Sequence, residues 1–119
     1  MKKKLLEKLK DFKLSIPLPL PGLGCGVLGM ALPRVSINLG AYAAKLLKAL
    51  EYRGYDSTGA AFLGEDKTRI TLLKDVGAPS TLVKTLSIEK QSGQIFCGQV
   101  RWATFGFVNK VNAQPHEVK

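Results

Sequence analysis

The sequence predicts an α+β fold in which an antiparallel sheet carries two helices. The hydrophobic pattern along the chain has the order strand, helix, hairpin, helix, strand. A length of 119 residues, 45% of them hydrophobic, is enough for one modest domain with one core. The 23% of charged residues is too low for a disordered chain. No apolar run reaches the roughly 18 residues that a membrane span requires.

The positive charge is concentrated at the start of the chain. The 18 Lys and Arg residues exceed the 9 Asp and Glu residues, and the net charge is +9. Residues 1–14 contain six Lys, one Glu and one Asp, a net of +4. Such a balance suits nucleic acid or anionic lipid, or it is simply a solvated surface. Because no basic stretch is interleaved with aromatic residues, we expect no nucleic-acid partner.

Residues 1–24 form a basic leader with a proline-rich linker. Within residues 2–13, four apolar residues fall at helical spacing, with lysines elsewhere: Leu5, Leu6, Leu9 and Phe12. This helix would lie on a membrane, dock on a partner, or fray in solvent. The prolines at positions 17, 19 and 21 indicate an extended linker and break any signal-peptide helix, so we expect a cytoplasmic protein.

The folded part is expected to begin at Cys25, with a short buried strand over 25–30. Asn38 is a plausible N-cap for a helix that runs to about Leu50. Its apolar positions recur at i, i+3, i+4, i+7, i+8 and i+11, which is the strongest helical pattern in the chain. Gly54 follows it as a stop signal.

The second half of the chain predicts three strands and a helix. A strand of small residues covers Ser57–Leu63, residues 64–67 make a hairpin turn, and a β-rich stretch covers Thr68–Val76. Ser80 or Thr81 would cap a second helix that carries Leu82, Val83 and Leu86. The last strand is Gln94–Thr104, and an irregular polar tail follows it.

The two cysteines, Cys25 and Cys97, do not make a disulfide framework. The chain has no CxxC motif, and its one histidine is His116. We therefore expect no metal site, no other cofactor and a reducing compartment.

Three stretches contain more chemically useful side chains than turns require: CGVLG at 25–29, EYRGYDS at 51–57, and RWAT at 101–104, which runs on to NAQPH at 112–116. Cys25 is a candidate nucleophile at a strand start. Arg101 can bind a carboxylate with two parallel hydrogen bonds, and Trp102 can cover it. A thiol beside a carboxylate clamp points to chemistry on an amino acid or a similar acid. Taken singly, each feature is commonplace, since a lone cysteine is more often a small buried hydrophobe.

Together, the three stretches resemble the N-terminal glutaminase domain of class II (Ntn-type) glutamine amidotransferases. EYRGYDS and RWAT are most similar to glutamine–fructose-6-phosphate aminotransferase, the glucosamine-6-phosphate synthase. The resemblance covers residues 25–119 as the N-terminal half of such a domain. It implies the first half of an αββα sandwich, truncated before the second half.

The resemblance also implies a mechanism with glutamine as substrate. The Cys25 thiol attacks the side-chain amide of glutamine, and the free α-amine of the same cysteine acts as general base. A γ-glutamyl thioester forms, ammonia leaves, and water releases glutamate. In the family, fructose 6-phosphate accepts the ammonia at an isomerase domain. For this chain, such a domain would be missing or would be a separate chain. The remaining matched residues bind substrate or organise the nucleophile: Arg101 for the α-carboxylate, Trp102 and Thr104 for contact and closure, and Arg53 and Asp56 beside the thiol.

The sequence departs from the family pattern at four points. Cys25 is not N-terminal, so its amine is free only if the leader is a propeptide that is cut after Gly24. Residues 25–119 do not include the Asn-Gly pair that forms the family's oxyanion hole, so we expect a chain that lacks this hole and the sugar-phosphate domain. Phe105 and Gln114 stand where the family has histidines.

These departures lead us to expect little glutaminase activity from the isolated chain, and an exposed apolar sheet that favours a homo-oligomer. The alternative is a non-catalytic remnant or a small docking module.

Overall fold

The computed structural model of the protein describes residues 24–64 and 66–118. The predicted α+β class is confirmed: four antiparallel strands form one sheet in the order β1-β4-β2-β3, and two helices accompany it. The strands are β1 Gly26–Ser36, β2 Ser57–Leu63, β3 Ile70–Val76 and β4 Gly93–Arg101. The helices are α1 Leu39–Ala49 and α2 Pro79–Thr85, and two short 3-10 turns cover Glu51–Arg53 and Ile88–Lys90.

The core lies between the helices and one face of the sheet, which we call the inner face. Phe62 on β2 and Phe96 on β4 are paired across the strands, and each is 1% exposed. Their ring centroids lie 5.2 Å apart. Apolar side chains from both helices close over this pair, and the buried cluster consists of Leu39, Ala43, Ala44, Leu47, Ala60, Phe62, Val83, Ile88, Phe96 and Val100.

Helix α1 follows its predicted periodicity. Leu39, Ala43 and Leu47 are fully buried on one face, as spacings of four residues require. Asn38 occupies the N-cap position, but its side chain makes no capping hydrogen bond. The helix ends at Ala49, and the 3-10 turn separates it from Gly54, which is therefore not its direct stop.

Several predicted boundaries of helices and strands were wrong. β1 is longer than the predicted 25–30 stretch and lies at the sheet edge, so it is not a buried strand. Helix α2 begins at Pro79 after Ala78, rather than at a Ser80 or Thr81 cap, because proline suits the first helical position. β3 begins at Ile70 and β4 ends at Arg101. The predicted helix over 2–13 and the linker after it lie outside the described residues.

The opposite, outer face of the sheet is covered over β2 and β3 by the C-terminal segment, residues 109–118. The Lys74 ammonium donates a hydrogen bond of 2.7 Å to the carbonyl oxygen of Ala113, which is fully buried. Gly59 on β2 lies directly beneath Gln114, since a Cβ at Gly59 would overlap the Gln114 carbonyl oxygen. The segment therefore uses a glycine and a lysine to lie flat on the sheet.

Within the described residues, neither helix combines the length and apolar character needed to cross a bilayer.

Candidate active site

Cys25 lies just before β1 and is half-buried. Its thiol donates a hydrogen bond to the carbonyl oxygen of Trp102, with Sγ 3.7 Å from the oxygen. An open groove of about 350 Å³ runs beside the thiol and is lined by Cys25, Gly26, Val27, Leu50, Tyr52 and Arg53. The candidate nucleophile therefore faces a space that admits a small molecule.

Arg53 reaches this groove because the next residue after the thiol is glycine. A Cβ at Gly26 would lie 3.0 Å from Cβ of Arg53 and 2.9 Å from Cγ2 of Val100. Any larger residue at Gly26 would push the turn away from the strand. The structure thus places Arg53 beside Gly26 in the groove that Cys25 also lines.

The turn that carries EYRGYDS packs against the backbone of RWAT. A Cβ at Gly54 would overlap the Arg101 carbonyl group, so only glycine permits this approach. The Asp56 amide donates to the carbonyl oxygen of Arg101 at 3.1 Å. One carboxylate oxygen of Asp56 accepts a hydrogen bond of 2.8 Å from the Ala103 amide. Asp56 therefore holds the chain after β4 in place, which positions the carbonyl that the thiol contacts.

Trp102 is held from the side by Tyr55. Their ring centroids lie 5.3 Å apart at an interplanar angle of 67°, an edge-to-face arrangement. Trp102 is half-buried, while Tyr55 is 56% exposed. The indole thus stands at the rim of the site.

Arg101 is only 8% exposed, and its guanidinium is engaged by its own chain. Nη1 donates to the carbonyl oxygen of Phe107 at 3.1 Å, and Nη2 donates to the carbonyl oxygen of Phe105. A guanidinium has five N–H donors, so three remain for other acceptors. Because Gly26 pairs with Val100, Arg101 ends β4 at the same sheet end at which Cys25 precedes β1.

The other predicted positions are spread over the loop and the tail. Thr104 is exposed, and Phe105 is 93% exposed on the loop that Arg101 holds. Gln114 lies on the outer face above Gly59, away from the thiol. Four of the six predicted site residues lie at one end of the sheet: Cys25, Arg53, Asp56 and Arg101. Of the other two, Trp102 lies beside them and Thr104 is on the exposed loop.

Ser57 is a residue at this site whose importance the sequence did not indicate. It pairs with Arg101 across β2 and β4, and it is 1% exposed. Among the residues that the structure describes, its Oγ has no hydrogen-bond partner. In the sequence, only its place at the end of the EYRGYDS motif could have indicated that Ser57 belongs to the site.

Ser57→Ala is expected to raise the free energy of unfolding by about 1 kcal/mol, because the substitution removes a buried hydroxyl without a partner. Chemical denaturation followed by circular dichroism measures the change. Thr58→Val is the matched control, since Thr58 is also buried but donates to the Gly77 carbonyl at 2.9 Å. The control should lose about 1 kcal/mol. A loss of stability in Ser57→Ala would contradict the prediction.

Known proteins are similar in sequence to this chain over most of its length. The chain is 39% identical over 92 residues to the glutamine–fructose-6-phosphate aminotransferase (isomerizing) of Sulfurisphaera tokodaii. The corresponding enzymes of Pyrococcus horikoshii and Buchnera aphidicola are 42% and 37% identical over 92 residues. The chain is homologous to part of this enzyme.

The homology covers 77% of the chain but only a small part of each glutamine–fructose-6-phosphate aminotransferase. The share is 15% of the Sulfurisphaera tokodaii enzyme and 14% of the other two. No family model matches the chain. The homology therefore shows which enzymes the chain is related to. The roles of individual site residues are inferred below from their chemistry and their positions.

Proposed function

We propose that the chain carries the glutamine-binding and nucleophile-bearing half of an amidotransferase glutaminase, with Cys25 as the nucleophile. The observation that supports this most strongly is the convergence at one end of the sheet. The Cys25 thiol contacts the Trp102 carbonyl, and Arg101 is the last residue of the neighbouring strand β4. A thiol and a guanidinium in this arrangement suit a substrate with a carboxylate at one end and an amide at the other.

The remaining site residues have supporting roles in this proposal. Arg101 binds the α-carboxylate of glutamine, and Trp102 and Thr104 contact the substrate from the loop. Arg53 lines the groove beside the thiol. Asp56 fixes the backbone after Arg101 through the Ala103 amide. The Cys25 sulfur attacks the amide carbon, and the thiol proton passes through the cysteine α-amine to the amide nitrogen. The carbon–nitrogen bond then breaks, ammonia leaves, and water hydrolyses the resulting γ-glutamyl thioester to glutamate and the free thiol.

The general base of this reaction depends on the chain being cut between Gly24 and Cys25. An α-amino group ordinarily titrates near pH 8, which suits proton transfer at neutral pH. In the uncut chain that nitrogen belongs to a peptide bond and is no base. We therefore propose that the leader, residues 1–24, acts as a propeptide whose removal activates Cys25.

The name of the related enzymes gives fructose 6-phosphate as the acceptor of the amino group, and we propose the same acceptor here. Fructose 6-phosphate would meet the ammonia at an isomerase domain outside the described fold. The described residues would then supply ammonia and would not bind the sugar phosphate.

A second candidate function is a non-catalytic docking module that retains the fold. Two observations favour it. The Arg101 guanidinium is partly occupied by carbonyls of its own loop, and Phe105 is 93% exposed where the family has histidine. An exposed aromatic loop beside an occupied arginine suits a protein contact as well as a substrate site.

Labelling with a diazo-ketone analogue of glutamine separates the two functions. The analogue alkylates a thiol that lies beside a glutamine site. Trypsin places Cys25 in the peptide 14–34 of the uncut chain and in the peptide 25–34 of the chain cleaved after Gly24, and Cys97 in the peptide 91–101, so mass spectrometry reads each cysteine separately. We expect labelling of Cys25 but not of Cys97 after cleavage at Gly24–Cys25, and much slower labelling of the uncut chain.

Two controls complete the experiment. Cys25→Ser should abolish the label, and excess glutamine should slow it by competition. Equal labelling of both cysteines, or no labelling of cleaved and folded chain, would reject the glutaminase proposal and leave the docking module.

A further inference from the structure

The half of the outer face formed by β1 and β4 is largely apolar, with the half-buried Gln99 as its polar residue at one end, and its remaining residues from Val27 to Ala31 and from Ile95 to Cys97 are exposed. The register pairs Val27 with Gln99, Gly29 with Cys97 and Ala31 with Ile95, so these side chains share the face opposite the core. Val27 is 66% exposed and Ile95 45% exposed, and Cys97 is exposed. We call this surface the outer patch, and it consists of Val27, Gly29, Ala31, Ile95 and Cys97.

The outer patch has the composition and shape of a docking surface. None of its five residues carries a charge. Gly29 and Ala31 have little or no side chain, so they form a shallow trough between the larger Val27 and Ile95. The neighbouring half of the same face, over β2 and β3, is already covered by the C-terminal segment. An apolar sheet face that is half covered and half open calls for a second cover.

We propose that the leader of this chain covers the outer patch, with residues 2–13 folded as an amphipathic helix. The sequence places Leu5, Leu6, Leu9 and Phe12 on one face of that helix. From Leu5 to Phe12 the apolar stripe of that helix is about 10 Å long. The patch extends from Val27 to Ala31 along β1, about 13 Å. The apolar stripe of the leader therefore fits within the outer patch, and both surfaces are apolar.

The tether to the leader allows this docking. The chain leaves the described fold at Gly24, three residues before Val27 at the end of the patch. Gly24 is exposed and has a φ of 73°, a left-handed conformation that lets the chain turn away from the line of β1. Residues 14–23 span about 31 Å when extended. The far end of the patch, Ala31, is only about 23 Å from Gly24, so the linker can fold back over the whole patch.

Charge favours the leader over a second copy of the chain. Two copies would bring two net charges of +9 together, whereas helical spacing puts Lys3, Lys4 and Lys10 of the leader on the side away from the patch, with Lys2 and Lys13 at the two ends of its apolar stripe. A short tether also raises the local concentration of the leader to about the millimolar range. The proposal does not depend on the chemistry of Cys25. It does mean that cleavage after Gly24 would free the cysteine amine and the outer patch in one step.

The reactivity of Cys97 with iodoacetamide tests the proposal, because this thiol lies in the patch. The rate is measured on the tryptic peptide 91–101 in the full chain under native conditions. We expect the double variant Leu6→Gln/Leu9→Gln to react at least about tenfold faster than the unchanged chain. The matched control Lys4→Gln/Lys10→Gln introduces the same residue twice on the polar side of the helix, and its rate should equal that of the unchanged chain.

Three other outcomes would overturn the proposal, and two of them would identify a different occupant of the outer patch. Equal rates in the unchanged chain and the Leu6→Gln/Leu9→Gln variant would show that the leader does not cover the patch. Protection that grows between 1 and about 50 µM protein would identify a second copy. Protection that appears only with phosphatidylglycerol vesicles would identify a membrane surface. Circular dichroism of each variant verifies that the sheet is intact.

Discussion

Phe96→Ala is expected to lower the free energy of unfolding by about 3–5 kcal/mol. Phe96 is 1% exposed and packs on Phe62 at a centroid distance of 5.2 Å. Its ring also lies over Gly98, where a Cβ would overlap the ring edge. Because glycine has no side chain that can move into the vacated space, the cavity should stay open, and the cost should lie in the upper part of that range. Urea unfolding followed by circular dichroism measures it.

Phe105→Ala is the control for this loss, because Phe105 has the same side chain but is 93% exposed. Its truncation should change stability by less than about 0.5 kcal/mol. A small domain has a total stability of about 5–15 kcal/mol. The core variant should therefore unfold at a markedly lower urea concentration. A loss of under about 1 kcal/mol for Phe96→Ala would mean that the two phenylalanines do not form the centre of the core.

The parts of the fold that the sequence predicted well are those whose pattern depends on one covered face. Helix α1 shows its buried stripe at Leu39, Ala43 and Leu47 directly in the spacing of apolar residues. The bounds of β2 were also predicted, because turn-forming residues lie on both sides of Ser57–Leu63. In both cases the local pattern and the packing agree.

The sequence failed where long-range contacts decide. The apolar run at 25–30 resembles a strand covered on both faces, yet β1 is covered on one face only. The last strand ends at Arg101, rather than at Thr104, because Asp56 takes the Ala103 amide out of the sheet. Nothing near Ala103 in the sequence indicates a partner 47 residues away.

The candidate site shows the same division. The family resemblance assigned Cys25, Arg53, Asp56 and Arg101 to one site, and the structure places these four residues at one end of the sheet. The Arg101 hydrogen bonds to the carbonyl oxygens of Phe105 and Phe107 could not be predicted. Those bonds depend on the backbone path of the loop, because any residue supplies a carbonyl group.

Arg101→Ala is expected to lower the free energy of unfolding by about 3 kcal/mol or more. A hydrogen bond to a charged group contributes about 1.5–3 kcal/mol, and the substitution removes two of them. Phe105 and Phe107 are themselves exposed, and the Phe107 carbonyl oxygen keeps a hydrogen bond of 2.9 Å from Nδ2 of Asn112, so we expect the loss to lie at the lower end of that sum. Arg101→Lys should recover about half of the loss, since an ammonium keeps the charge but not the planar fork. Urea unfolding of the three chains gives the comparison.

The same variants distinguish a carboxylate-binding arginine from one that only holds its loop. The readout is the rate of Cys25 labelling by the glutamine analogue divided by its rate with iodoacetamide, which has no carboxylate. If Arg101 binds the substrate carboxylate, Arg101→Lys in the chain cleaved after Gly24 should lower this ratio by about tenfold or more. Lys74→Met is the control, because Lys74 also holds the C-terminal segment through a carbonyl, that of Ala113. It should loosen the segment and leave the ratio unchanged. An equal fall in both variants would mean that a folded loop, rather than the guanidinium itself, makes the site selective for glutamine.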